Sequence, residues 1–253
     1  MSALLEARGL TKRYGSLAAV TDISFDLAEG EILGLIGPNG AGKSTVVNLI
    51  AGSVKKWTGE IRFRGHPLRR LAPHQIGRLG IARTFQVAQP FCDMSLVENV
   101  MVGAMFARPG ARRTAAARTK ALDVLESLGL ADKANRPAES LNASERKRLE
   151  IAKALAMEPQ LVLLDEVMAG LNPVEVERAI ELIGRVRAKG VSILMVEHVM
   201  HAISSLADRI IVLHHGEKVS EGPPTEVLRD EFVVGAYLGR RGTRPEQSTT
   251  EGM

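Results

Sequence analysis

The sequence of 253 residues holds a single cysteine, Cys92, so no internal disulfide is open to it. That suits a reducing compartment. A free cysteine behaves by habit as a small buried residue of little reactivity, and Cys92 is read that way. Aromatic residues make up only 4% of the chain, too few for a base-stacking platform. No apolar run approaches the roughly 18 residues of a membrane-spanning helix. The first residues, Met1 to Arg8, lack the charged head and long apolar centre of a secretory leader. Excess charge is also scarce, at a net +4. The basic runs Arg69-Arg70, Arg112-Arg113 and Arg146-Lys147-Arg148 are interspersed with acids and alanines. They read as solvated faces and not as a nucleic-acid patch.

What is present is the composition of a globular chain, 45% hydrophobic and 25% charged, long enough for a sizeable core. Four short apolar runs read as strands of a buried parallel sheet: Ile32 to Ile36, Leu161 to Leu164, Val191 to Val196 and Ile210 to Leu213. Helical patterns lie between them, which predicts an α/β core with crossover helices. Alternation and glycine turns in Leu4 to Tyr14, Val20 to Leu27 and Gly59 to Arg64 predict a small antiparallel sheet. His214-His215-Gly216-Glu217 reads as a hairpin turn feeding a strand around Val219. From about Val87 to Glu158 the pattern is helical, with Leu122, Leu125 and Leu128 on one repeat and Leu149, Ala152 and Leu155 on another. Residues 1–239 are expected to form one domain, with 87–158 as a helical insertion. The last residues, Arg240 to Met253, have no periodicity and are expected to be a disordered tail.

Gly37-Pro38-Asn39-Gly40-Ala41-Gly42-Lys43-Ser44 fits G-x-x-x-x-G-K-S/T between an apolar strand and a helix placed at Thr45 to Ala51. Glycines let the backbone curl so that several N–H groups point at one phosphate chain, and the helix N-terminus adds its positive end. Lys43 is placed to reach the β- and γ-phosphates, and the Ser44 hydroxyl to ligate Mg²⁺. Leu161-Val162-Leu163-Leu164-Asp165-Glu166 is an apolar strand that ends in two carboxylates. Asp165 at the strand tip suits a water-mediated hold on Mg²⁺. Glu166, where the chain leaves the strand, is a candidate general base for an attacking water.

With these two motifs in the observed order, the chain resembles the ATP-binding subunits of ABC transporters, and the resemblance covers nearly its whole length. It implies a P-loop NTPase core with a mainly parallel sheet, an N-terminal antiparallel subdomain and a helical insertion, with ATP and Mg²⁺ as ligands. It further implies that Tyr14 stacks on adenine and that Thr45 joins the phosphate-binding residues. Gln86, in Arg83-Thr84-Phe85-Gln86, matches the glutamine that touches Mg²⁺, and His198 matches the histidine that contacts the γ-phosphate.

One stretch departs from the family. Where its members carry Leu-Ser-Gly-Gly-Gln, which meets the γ-phosphate bound to a partner subunit, this chain has Leu141-Asn142-Ala143-Ser144-Glu145. Asn142 followed by Glu145 still forms a capping-box pattern, so the helix is expected to survive. Ala143 and Ser144 add β-carbons where glycines allow close approach. Asn172 in Met168-Ala169-Gly170-Leu171-Asn172-Pro173, the Arg-Thr-Phe-Gln run and the Ala236-Tyr237-Leu238-Gly239 ending resemble the longer ATPase subunit of branched-chain amino-acid importers.

That resemblance implies a cytoplasmic protein on the inner face of the cell membrane. Its partners would be separate membrane permease subunits, a second ATPase (a paralogue or another copy) face to face with it, and indirectly a periplasmic binding protein. No nucleic acid is expected as a partner. Two other readings use the same residues: a nucleotide-binding regulator with weak hydrolysis, and a soluble ABC ATPase acting on nucleic acid. Intact Lys43, Glu166 and His198 argue against the first, and the single cassette argues against the second.

Overall fold

The computed structural model of the chain describes residues 3–84, 89–106 and 114–238. Two long strands, β1 (Ala3–Tyr14) and β2 (Leu17–Ala28), pair antiparallel through the turn at Gly15 and Ser16. The fully buried β3 (Ile32–Ile36) runs into the glycine-rich loop and helix α1 (Lys43–Ile50). Then β4 (Thr58–Phe63) and the short β5 (His66–Pro67) complete a four-stranded antiparallel sheet in the order β2-β1-β4-β5. Helix α2 (Pro73–Leu79) and β6 (Ile81–Arg83) lead to three helices in succession, α3 (Leu96–Phe106), α4 (Thr114–Ser127) and α5 (Ala143–Ala156). The chain then alternates through β7 (Leu161–Asp165), α6 (Pro173–Ala188), β8 (Ser192–Val196), α7 (Met200–Leu206) and β9 (Arg209–His214). It closes with β10 (Glu217–Gly222), α8 (Pro224–Val227) and α9 (Glu231–Leu238).

The second sheet has the order β10-β9-β3-β8-β7-β6, parallel except for the β10 edge. Its central strands β3, β8 and β7 are buried throughout because both faces are covered. Leu33, Leu35, Leu161, Leu163, Leu194, Val196, Ile211 and Leu213 face the core shared with the antiparallel sheet and α1. Ile32, Ile36, Val162, Leu164, Ile193, Met195, Ile210 and Val212 face the core shared with the helices. The two-residue alternation of a strand thus divides one apolar run between two cores. Arg209 ties the layers at one end: its Nε lies 2.9 Å from Glu31 Oε1, and its Nη2 donates to the Asp26 carbonyl at 2.6 Å.

Three expectations need correction. Helix α1 begins at Lys43, not Thr45, because Val46 N already donates to Gly42 O at 3.0 Å. Cys92 is exposed, not buried; it lies in the connection before α3.

The run Arg146-Lys147-Arg148 is not a solvated face. Arg146 donates to the carbonyls of Leu141 and Glu139, both at 3.0 Å, Lys147 to that of Ala169, and Arg148 to those of Leu128 and Gly129. Arg69 and Arg70 are exposed as expected, and Arg112-Arg113 lie outside the described residues. No described helix is long and apolar enough to cross a membrane.

Candidate functional site at the sheet's carboxyl edge

In an open α/β sheet, ligands bind outside the carboxyl ends of the strands. Here β3, β8 and β7 lie side by side and deliver three loops to one edge. A cavity of about 720 Å³ opens there, lined by Tyr14, Asn39 to Thr45, Glu166 and His198, together with Leu17, Ala18 and Ala19. Residues from four separate parts of the sequence therefore share one wall. Gly37 and Pro38 lie behind it and hold the lysine.

Two glycines set the loop. Gly37 has φ 152°, and a β-carbon there would sit 2.2 Å from the Leu213 carbonyl oxygen. Gly42, in the left-handed region at φ 103°, is the N-cap of α1, and a β-carbon would meet the Ala19 carbonyl at 2.5 Å. No other residue fits either position. The β9–β10 turn braces the loop from outside: Gly216 N donates to Ala41 O at 3.1 Å, and Thr21 N to Gly216 O at 2.8 Å.

Lys43 is 5% exposed, and its ammonium donates to the carbonyls of Gly37 at 2.7 Å and Pro38 at 3.0 Å. Burial lowers its pKa, against the opposing pull of Glu166 and Asp165. Ser44 and Thr45 open α1 and face the cavity. Tyr14 ends β1 and is 47% exposed, and the Lys12 ammonium lies 4.5 Å from its ring centroid. That exposure is what a stacking face needs and a core tyrosine lacks.

Asp165 ends β7 and is nearly fully buried. Arg83 at the tip of β6 donates to its Oδ2 at 2.9 Å and also to Asn48 Oδ1 on α1. Oδ1 of Asp165 is buried without a partner. The next residue, Glu166, takes a left-handed φ of 52°, and this turn carries its side chain out of the strand. Its Oε1 lies 2.9 Å from His198 Nε2. Glu166 N donates to Val196 O at 2.9 Å, which holds the carboxylate's backbone against the end of β8.

The stretch from Leu141 to Glu145 lies apart from this wall. Leu141 is buried, and Asn142 caps α5: its Oδ1 accepts from Glu145 N at 2.9 Å while Glu145 Oε2 accepts from Asn142 N at 3.2 Å. Glu145 also pairs with Lys133, and that contact holds its carboxyl below the usual range. Ala143 and Ser144 form the first turn of α5, and none of Leu141 to Glu145 lines this chain's own cavity. Gln86 lies outside the described residues.

Sequence reasoning misses five residues here. Leu17, Ala18 and Ala19 carry no distinctive chemistry, so nothing marked them. Arg83, beside Asp165, stood inside a run already quoted for its glutamine. Glu197 is completely buried at the end of β8; its Oε1 accepts from Met168 N at 2.9 Å, and its Oε2 has no partner. Burial pushes this carboxyl up to about 7. Its signal was visible, because it is a second strand-tip carboxylate directly before His198.

A family profile described as ABC transporter matches residues 20–169. The high-affinity branched-chain amino acid transport ATP-binding protein LivG of Salmonella typhimurium is 39% identical, over 93% of this chain and 98% of that protein. The crystal structure of an ATP-binding cassette of an ABC transporter in its ADP conformation superposes with a TM-score of 0.85 at 28% identity. It covers 94% of this chain and 100% of the other. A dimeric cassette in a post-hydrolysis state bound to ADP and Pi superposes at 0.79 and 26% identity, over 87% of this chain and 98% of that one. The phosphate loop, the acidic strand tip and the histidine that faces it thus sit in a chain that belongs to the ABC transporter ATP-binding family.

Proposed function

We propose that this chain hydrolyses ATP at the carboxyl edge of its parallel sheet and so powers uptake of branched-chain or related hydrophobic amino acids through separate membrane subunits. The observation that carries the chemistry is the single cavity in which the Lys43 loop faces the Glu166–His198 pair. The amino-acid class rests on likeness to LivG.

In this reading the N–H groups of Asn39 to Thr45 cradle the phosphates, and Tyr14 stacks on the adenine. Lys43 leaves the carbonyls of Gly37 and Pro38 to neutralise the β- and γ-phosphates. Glu166 takes the proton from the attacking water as the water oxygen bonds to the γ-phosphorus. The bond from that phosphorus to the β–γ bridging oxygen breaks, and the products are ADP and phosphate. His198 holds Glu166 and faces the γ-phosphate. The residues suit Mg²⁺: the unpartnered Asp165 Oδ1 and the Ser44 hydroxyl, with Gln86 joining them, are hard oxygen donors. When bound, Mg²⁺ would neutralise charge on the phosphate chain.

The chain works in this proposal at the cytoplasmic face of the membrane, with a second ATPase subunit closing over the cavity. Residues 1–239 act as one cassette, and the helical part, about 87–158, moves the permease subunits. Leu141 to Glu145 meet the nucleotide held by the partner, and a periplasmic binding protein delivers substrate from the other side. The test separates binding from turnover. Lys43→Ala is expected to weaken ATP binding, and Glu166→Gln to keep binding while abolishing most hydrolysis. Reconstituted permease subunits should raise the rate, and nucleic acid should not. Hydrolysis at the wild-type rate in Glu166→Gln removes that residue from its role, and stimulation by nucleic acid alone overturns the transport reading.

A further inference from the structure

Away from the phosphate loop, the chain forms a second polar cavity, of about 450 Å³, between the end of α1 and the segment entering α2. Its floor is apolar, with Leu49, Leu68 and the ring of Trp57 all buried. Its rim carries four cations, Lys55, Lys56, Arg69 and Arg70, and no carboxylate among the described residues lines it. Elsewhere on the surface arginines stand beside acids, as in Arg62 with Glu60 and Arg8 with Asp26, each at 2.6 Å. The side chains of Lys55, Lys56 and Arg70 have no ion-pair partner among the described residues. Like charges on one rim repel, so this grouping is unfavourable until an anion enters.

The rim is also fixed in place. Lys12 is 7% exposed, and its ammonium donates to the carbonyls of Lys55 at 2.8 Å and Lys56 at 3.1 Å. Lys56 has φ 57°, a left-handed conformation that side-chain-bearing residues seldom adopt and that surrounding structure must impose. Arg69 Nη2 donates to the Trp57 carbonyl at 3.1 Å, and its guanidinium lies 5.6 Å from the Trp57 ring centroid. The backbone beneath Lys55 and Lys56 and the Arg69 guanidinium are thus ordered before an anion binds, which leaves less to order on binding.

We infer that this cavity is a binding site for a phosphate monoester or diester, with the apolar floor receiving the short carbon skeleton attached to it. Two sources present that chemistry, a soluble phosphorylated small molecule and the headgroup of an anionic phospholipid. A carboxylate alone would match the charge but not the spread of four donors around one cavity mouth.

Trp57 is the only tryptophan in the chain, so its emission reports on this cavity and not on the phosphate loop. The full chain is titrated with inorganic phosphate and glycerol phosphate, and separately with vesicles of phosphatidylglycerol or of phosphatidylcholine. A saturable change in Trp57 emission is expected, unaltered in Lys43→Ala, where the phosphate loop is disabled. In Lys55→Gln/Arg70→Gln, which leaves Arg69 on the Trp57 carbonyl, the apparent affinity should fall by about tenfold or more. Should that variant fold poorly, Arg70→Gln alone is expected to fall about fivefold. A response to the soluble phosphates assigns the site to a free ligand, and a response confined to phosphatidylglycerol assigns it to a lipid headgroup. No response to any of these probes, an equal response to phosphatidylcholine, or a titration unchanged by the substitutions overturns the site.

Discussion

His198 Nε2 lies 2.9 Å from Glu166 Oε1, across a gap of 32 residues in sequence and between the tips of two neighbouring strands. A hydrogen bond to an ionised carboxylate is worth about 1.5–3 kcal/mol, or about ten- to a hundredfold if felt in the transition state. His198→Ala is therefore expected to lower the rate of ATP hydrolysis by that factor while nucleotide affinity changes little. Steady-state rates and equilibrium binding on the same preparation decide it. A loss that appears only in affinity would assign His198 to binding alone.

Glu197 gives the fold a pH dependence. Its carboxyl, raised from 4.5 to about 7, is faced by Lys147 of α5, by Glu166, and by the backbone N–H groups of Met168 and His198. Desolvation is the dominant cause. Between pH 4.5 and 7 the folded state holds a proton that the unfolded chain has released, so stability falls as pH rises through that window. The loss is on the order of 3 kcal/mol when complete. Glu197→Gln should flatten the pH dependence of the denaturation midpoint over this range and raise the midpoint at pH 8. An unchanged slope between pH 5 and pH 8 would show that Glu197 does not carry the effect.

The glycines of the phosphate loop should separate by space as well as by dihedral angle. At Gly37 a β-carbon meets the Leu213 carbonyl at 2.2 Å, whereas at Gly40, φ 79°, it meets nothing within 4 Å. Gly37→Ala is expected to cost roughly 3 kcal/mol and to damage nucleotide binding. Gly40→Ala should cost only the left-handed strain, roughly 1–2 kcal/mol. Thermal denaturation of the two variants tests the order, and equal costs would mean that the contact with β9 is not rigid.

The departure at Leu141 to Glu145 predicts unequal sites in a pair of different ATPase subunits. Asn142 commits its side-chain oxygen to Glu145 N, so only its amide N–H is left to donate to a phosphate where the family has a serine hydroxyl. A partner's phosphate would meet a β-carbon at Ala143 and Ser144. The site built on this chain's own Lys43 and Glu166 should then be the faster one. In the assembled transporter, Lys43→Ala should cost much more ATPase activity than the matching lysine change in the partner. Equal losses would favour equivalent or tightly cooperative sites.

The central strands were legible because both of their faces are buried, and a run such as Leu161 to Asp165 needs no partner to declare itself. The phosphate loop was legible for a similar reason: its backbone path demands glycine at fixed positions. The helical part was legible only as helical. Which leucines of α4 face inward depends on where α3 and α5 lie: Leu125 is buried and Leu122 exposed. The basic run of α5 failed for the same reason, because carbonyls supplied by Leu128, Gly129 and Ala169 are distant in sequence. Within the site, Tyr14, the loop Asn39 to Thr45, Glu166 and His198 are readable from sequence and share one cavity wall, whereas Glu197 escapes notice despite its strand-tip position. The residues that shape or hold the site (Ala18, Ala19 and Arg83) became visible only once strands had been placed beside each other.

Lys12 joins two parts of the chain that lie far apart in sequence. Its ammonium is gripped by the carbonyls of Lys55 and Lys56, and it lies 4.5 Å from the Tyr14 ring centroid. Strand β1 therefore acts as a strut with a fitting at its end, linking the basic rim to the aromatic edge of the nucleotide pocket. The positive charge lying against the Tyr14 ring is thus held in place by carbonyls 43 and 44 residues further along the chain.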